Sequence, residues 1–300
     1  MTAVNSPLIR PADLARLHSL EVVARIIVEG MNAGAHRSPR LGSSVDFADH
    51  RAYVAGDDLR RLDWKVLGRT DRLVLKRYEA ETDLACTLAV DGSASMAYAG
   101  ERAGLSKFRY ASMLAASIAW LVLAERDRAG LILFHEKASV VQKPATQGQL
   151  ERLCRALEAH QPASGTDLTK SLDHLSAPTS DRGLAVVLSD FMVEPEAIEA
   201  ALARLSHKGH DVALVWVLDP DEKDLALGSV SRFEGLENDG ELTAEPRALK
   251  AAYIEQVEAH RQVLTSLCRR RRAAFVPCLT DEPLHAPLNR LLVALHAERR

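Results

Sequence analysis

From Leu84 onward, short apolar runs alternate with longer stretches of helical period. Strands are predicted near 84–90, 130–135, 138–143, 184–189, 212–218 and 273–279, and helices near 106–125, 147–160, 167–175, 195–205, 246–270 and 285–297. A strand–helix alternation of this kind predicts an α/β fold, a doubly wound and mostly parallel sheet of the Rossmann type. The second and third strands are separated only by His135-Glu136-Lys137, so they form a hairpin and give the sheet one antiparallel edge strand. The first of these helices carries Ala111, Ala115, Ala116, Ser117 and Ala119 among large apolar residues, which leaves almost no polar face. A helix apolar all round sits at the centre of a fold. Gly209 suits a helix C-terminal cap, and Pro195 and Pro246 suit first turns. Between about 226 and 244 the pattern breaks, and Asn238-Asp239-Gly240 signals a small β excursion with a tight turn.

The pattern divides the chain into an N-terminal extension, residues 1–82, and a main domain, residues 83–300. Leu14 to Met31 reads as one or two helices and Ala33 to Ser44 as loop. A charged block follows, from Asp46 to Tyr53, Gly56 to Lys65, and Arg69-Thr-Asp-Arg72. Asp57 is placed to cap a short helix with Leu59, Leu62 and Trp64 facing inward. Mixed charges this dense most often form a salt-bridged shell; the functional alternative is a recognition surface.

Composition narrows the function. The chain has 300 residues, 47% of them hydrophobic, and a formal charge of −3 with both signs interspersed, so it fills a core and offers no field for DNA or RNA. The one basic run, Arg269-Arg-Arg-Arg272, closes a predicted helix, where cations complement the dipole. Cys86, Cys154, Cys268 and Cys278 show no metal-knuckle spacing and read as small buried residues of a reducing compartment. The longest uncharged stretch, Tyr110 to Ala124, is too short to span a bilayer, which needs about 20 apolar residues, and the N-terminus lacks a secretion signal. A cytoplasmic location without membrane insertion is the expectation.

The candidate chemistry lies where the first main-domain strand ends, in Asp91-Gly92-Ser93-Ala94-Ser95. In a doubly wound sheet, ligands gather outside the carboxyl ends of strands where strand order reverses. The strand near 184–189 ends in Asp190, so two carboxylates converge on one crevice, and the loop Ala163 to Leu168 can bring the Thr166 hydroxyl there. Asp91, Ser93, Ser95, Thr166 and Asp190 form an oxygen set suited to Mg²⁺ or Mn²⁺, with two carboxylates to balance the ion and one position left for an external carboxylate. The bland alternative is a strand-ending turn in which Ser93 or Ser95 merely caps a helix.

The main domain resembles a von Willebrand factor type A domain, whose metal-ion-dependent adhesion site reads Asp-x-Ser-x-Ser, then Thr, then Asp. That resemblance implies that Ser93, Ser95 and Thr166 bind the ion directly, while Asp91 and Asp190 act close to it or through water. The stretch from Phe47 to Lys65, followed by Arg69-Thr-Asp-Arg72 and Lys76-Arg-Tyr-Glu79, is similar to the signature of the bacterial domain-of-unknown-function fifty-eight family. Its members are von Willebrand A-like and are commonly encoded beside MoxR-type AAA+ ATPases. The resemblance implies a non-enzymatic adaptor that captures an acidic side chain of a MoxR-type ATPase or of its client.

Two other functions stay open at this point. Asp91 could be a phosphoryl-accepting nucleophile in a metal-dependent hydrolase or phosphatase. Ser93 nevertheless stands where such enzymes place their general acid, and the chain has no Gly-rich phosphate loop, Rossmann fingerprint or His-Glu-x-x-His. No catalytic residue is therefore assigned. The third function is structural, a relic site that only staples loops.

Overall fold

A computed structural model of the chain describes residues 10–17, 19–34, 47–52, 63–70, 72–78, 84–134, 139–141, 148–163, 182–225, 231–234, 241–244 and 246–298. In chain order the strands are β1 (Phe47–Ala52), β2 (Val74–Tyr78), β3 (Ala85–Asp91), β4 (Arg128–Phe134), β5 (Ser139–Val141), β6 (Gly183–Ser189), β7 (Asp211–Leu218), β8 (Ser231–Glu234), β9 (Glu241–Ala244) and β10 (Ala274–Leu279). The helices are α1 (Pro11–Ala15), α2 (Leu20–Gly34), α3 (Trp64–Thr70), α4 (Lys107–Ala124), α5 (Gln149–Ala159), α6 (Pro195–His207), α7 (Pro220–Asp224), α8 (Pro246–Arg271) and α9 (His285–Glu298). The helix expected near 167–175 and the turn at Asn238-Asp239-Gly240 lie outside the described residues.

Six strands form the main sheet in the order β10-β7-β6-β3-β4-β5. All neighbours run parallel except β5, which pairs antiparallel with β4 as the short separation between them requires. The doubly wound, mostly parallel α/β architecture with one antiparallel edge is therefore the fold. After β3 the chain moves outward to β4 and β5, then crosses back to lay β6 on the other side of β3. The strand order reverses there, and the crevice between the ends of β3 and β6 is fixed by topology alone.

The central strands β3 and β6 are buried on both faces, and their alternation sorts side chains into two cores. Cys86, Leu88 and Val90 of β3, with Leu184, Val186 and Leu188 of β6, join α4 on one face. Ala89, Ala185 and Val187 face the other way, against Leu202 and Leu205 of α6 and Leu264 and Leu267 of α8. Helix α4 is buried along nearly its whole length, as its all-round apolar pattern demands. Among the described residues it is the one helix long and apolar enough to cross a membrane, yet its surroundings are the core of this domain. Gly209 ends α6 at φ +79°, and its N–H donates to Ser206 O at 2.9 Å. Pro195 and Pro246 open α6 and α8. All four cysteines are buried thiols outside any disulfide.

The extension contributes to the same core. Leu14, Leu20, Val23, Ala24 and Ile27 of α1 and α2 are buried with α4, and Leu20 N–H donates to Glu158 Oε1 at 2.6 Å. Within and beside the charged block the structure shows a ribbon and a short helix. Phe47–Ala52 and Val74–Tyr78 pair as an antiparallel ribbon. Helix α3 starts at Trp64, and Asp63 caps it by accepting Val66 N–H at 3.2 Å; the cap expected at Asp57, with Leu59 and Leu62, lies outside the described residues. The 226–244 excursion is the hairpin pairing β8 with β9.

Candidate metal centre at the strand-end crevice

Asp91 is the last residue of β3 and Asp190 follows the last residue of β6, so the parallel pairing of these strands sets the two carboxylates side by side. Both are 2% exposed. Each oxygen of Asp91 accepts a hydrogen bond, Oδ1 from Ser93 N–H at 3.0 Å and Oδ2 from the Ser189 hydroxyl at 2.5 Å. Burial first, and the charge of Asp190 second, push the Asp91 carboxyl up to about 6, although Ser189 and Ser93 hydrogen bonds oppose the rise.

The serines are not helix caps. Ser106 caps α4, accepting Arg109 N–H at 3.1 Å, while Ser93 precedes the short 3₁₀ turn Ala94–Ala97 without a side-chain cap bond. Instead the fully buried Ser93 hydroxyl lies 3.1 Å from that of Ser95 and against the Asp91 carboxylate. The loop carrying them is fixed from behind. The Gly92 carbonyl faces His160 Nε2 at 3.1 Å and accepts Ala163 N–H at 3.2 Å, and a Cβ at Gly92 would run into the His160 imidazole. Glycine is required here by close approach.

Across the crevice, Phe191 sits at φ +52°, an uncommon conformation for a bulky residue, and donates its N–H to Ser189 Oγ at 2.9 Å. This turn aims Asp190 Oδ1 at Met192 N–H, 3.2 Å away, and leaves the Met192 side chain 52% exposed at the rim. The Trp216 indole donates to Asp190 O at 2.9 Å and holds the turn from β7.

Three residues of this site were not anticipated from sequence. Lys107, only 1% exposed, donates to Asp190 Oδ2 at 2.8 Å and Glu222 Oε1 at 2.6 Å. Burial works against its charge, but Asp190 and Glu222 outweigh that and hold the ammonium pKa above its ordinary value. Burial also raises Glu222, with Lys107 opposing. Ser189, which orients Asp91, is the third.

The structure thus brings together Asp91, Ser93, Ser95 and Asp190; Thr166 lies outside the described residues. Among the described residues no three His, Cys, Asp or Glu side chains cluster as ligands, so any ion at this crevice depends on the hydroxyls. The donors fit a hard divalent cation. They are all oxygens, two buried carboxylates repel each other, and Asp91, Asp190 and Glu222 outnumber the Lys107 ammonium by two formal charges.

A family model described as a protein of unknown function, DUF58, matches residues 49–263. The chain belongs to the DUF58 family. An uncharacterized protein of Mycobacterium tuberculosis is 28% identical to this DUF58 chain over 298 residues, 95% of this chain and 90% of the relative. Among solved structures, an aerotolerance-related membrane protein from Bacteroides fragilis is 18% identical, with a TM-score of 0.46, covering 72% of this chain and 98% of that one. The SpRpn10 VWA domain is 9% identical, with a TM-score of 0.43, covering 68% and 93%. The doubly wound fold rests on the strand order itself.

Proposed function

We propose that this DUF58 protein is a non-enzymatic, metal-dependent adaptor that captures an acidic side chain of a protein partner at the crevice between β3 and β6. Ser93, Ser95 and Thr166 would hold Mg²⁺ or Mn²⁺, with Asp91 and Asp190 balancing its charge. A bound ion would supply an open electrophilic position for a carboxylate. The observation that carries this reading is the pairing of the buried Ser93 hydroxyl with the half-buried Ser95 hydroxyl beside two mutually repelling aspartates, with neither side chain employed as a cap. Thr166 enters because Ala163, three residues earlier, is bonded to the Gly92 carbonyl at the crevice wall.

The chain's own residues divide the work. Ser189 and Ser93 N–H orient Asp91, the strained Phe191 turn orients Asp190, and exposed Met192 offers an apolar contact beside the open position. The resemblance noted above makes a MoxR-type AAA+ ATPase, or the client it remodels, the partner to test. Immobilised protein should retain the ATPase or client in Mg²⁺ and release it in EDTA, and Asp91→Ala should retain neither. Equal retention by chelated protein and by Asp91→Ala contradicts metal-gated capture.

A further inference from the structure

Lys107 is an improbable place for a buried cation. It is the first residue of α4, where the helix dipole disfavours positive charge, and burial strips it of water. Its neighbours account for it. Two ammonium protons go to Asp190 Oδ2 and Glu222 Oε1, and the Tyr98 ring centroid lies 5.9 Å away. Glu222 Oε2 in turn accepts Asp219 N–H at 3.0 Å, so one side chain joins the loops after β3, β6 and β7. Asp190 is therefore shared between the crevice and Lys107, because one oxygen takes the ammonium and the other takes Met192 N–H.

We propose that Lys107 is a resident cation of the crevice that competes with a divalent ion for Asp190, setting the ion's affinity low and leaving the loaded site without net negative charge toward an acidic partner. This rests on the metal reading above. With Lys107 present, a divalent ion brings Asp91, Asp190, Glu222 and Lys107 to formal neutrality; without it, one negative charge remains to repel the incoming carboxylate. Lys107 is thus a positioning and specificity-determining residue, outside the ligand set itself.

The test is Mn²⁺ calorimetry on the full chain, comparing wild type with Lys107→Met and with Lys107→Met/Glu222→Gln. The double variant removes one charge of each sign, keeping the net charge of the wild-type cluster, and it serves where unpaired Glu222 leaves the single variant too unstable to purify. Both variants should bind Mn²⁺ roughly tenfold more tightly than wild type, the size expected for loss of one close charge competitor. Equal or weaker Mn²⁺ binding by either folded variant, with wild type binding, overturns the role of Lys107 and leaves the metal reading standing. Binding by the variants but not by wild type supports Lys107 as the resident cation and removes the metal reading instead. Absence of binding in all three overturns both.

Discussion

Asp91 ends β3 and Asp219 follows β7, on either side of β6 in the same sheet, and each is at most 2% exposed, but their oxygens are used in different ways. Asp219 Oδ1 accepts Asp221 N–H at 2.9 Å, and Oδ2 accepts Gly100 N–H at 3.0 Å and the Thr280 hydroxyl at 3.1 Å. It caps α7 in a capping box with Glu222, and a Cβ at Gly100 would collide with its carboxylate. Asp91 has the Ser189 and Ser93 hydroxyls and Ser93 N–H around it and a second carboxylate nearby; burial first, and that carboxylate's charge second, raise its pKa. The comparison shows that an acid at a strand end is a structural cap by default. It becomes a candidate ligand when hydroxyls gather around it and its charge is left without enough compensation.

The sharpest break in the comparison comes from the cation between the two regions. Lys107→Met leaves Asp190 and Glu222 buried without their counter-charge, and chemical denaturation in EDTA should show a loss of about 3–5 kcal/mol. A loss below about 1 kcal/mol would mean that the triad is screened by solvent. Asp219→Ala strands the Gly100 and Asp221 N–H groups and should cost about 2–3 kcal/mol. Its urea midpoint should fall whether or not Mn²⁺ is present.

Asp91→Asn should go the other way. The Asp91 carboxyl titrates near 6 in the fold against 3.8 in its ordinary state, so its stabilising contribution is full below about pH 4 and is lost as pH rises through 6. In EDTA at pH 8 the amide should therefore stabilise the protein by about 1–2 kcal/mol, less than the full shift because an amide replaces only part of the hydrogen bonding. The gain should vanish by pH 4, and thermal melts at the two pH values check it. A gain independent of pH would show that the buried charge of Asp91 is not the cause. Smallest of all, Ser106→Ala removes the true cap of α4 and should cost about 1 kcal/mol while leaving Mn²⁺ binding unchanged.

Much of this was legible in the chain. The short apolar runs and the brief separation of β4 from β5 pointed to a mostly parallel sheet with one antiparallel edge, and the expected reversal beside β3 brought Asp91 and Asp190 together. The β1–β2 ribbon was not foreseen, because Phe47–Ala52 and Val74–Tyr78 carry charges that mask strand alternation. Lys107 was hidden for a different reason. In sequence it is an ordinary polar residue on a first helical turn, and its partners Asp190 and Glu222 lie 83 and 115 residues away. Asp219-x-x-Glu222 could have been read as a capping box, but nothing local says that the other oxygen of Glu222 faces an ammonium.

The central claim is that the hydroxyl and carboxylate crevice at β3 and β6 holds a divalent ion. Mn²⁺ calorimetry on wild type and on Ser93→Ala/Ser95→Ala tests it most directly, since the double variant leaves every carboxylate and Lys107 in place. One site in wild type that is lost in the variant is the predicted result. Identical Mn²⁺ binding by the two proteins, or none by either, would contradict the account.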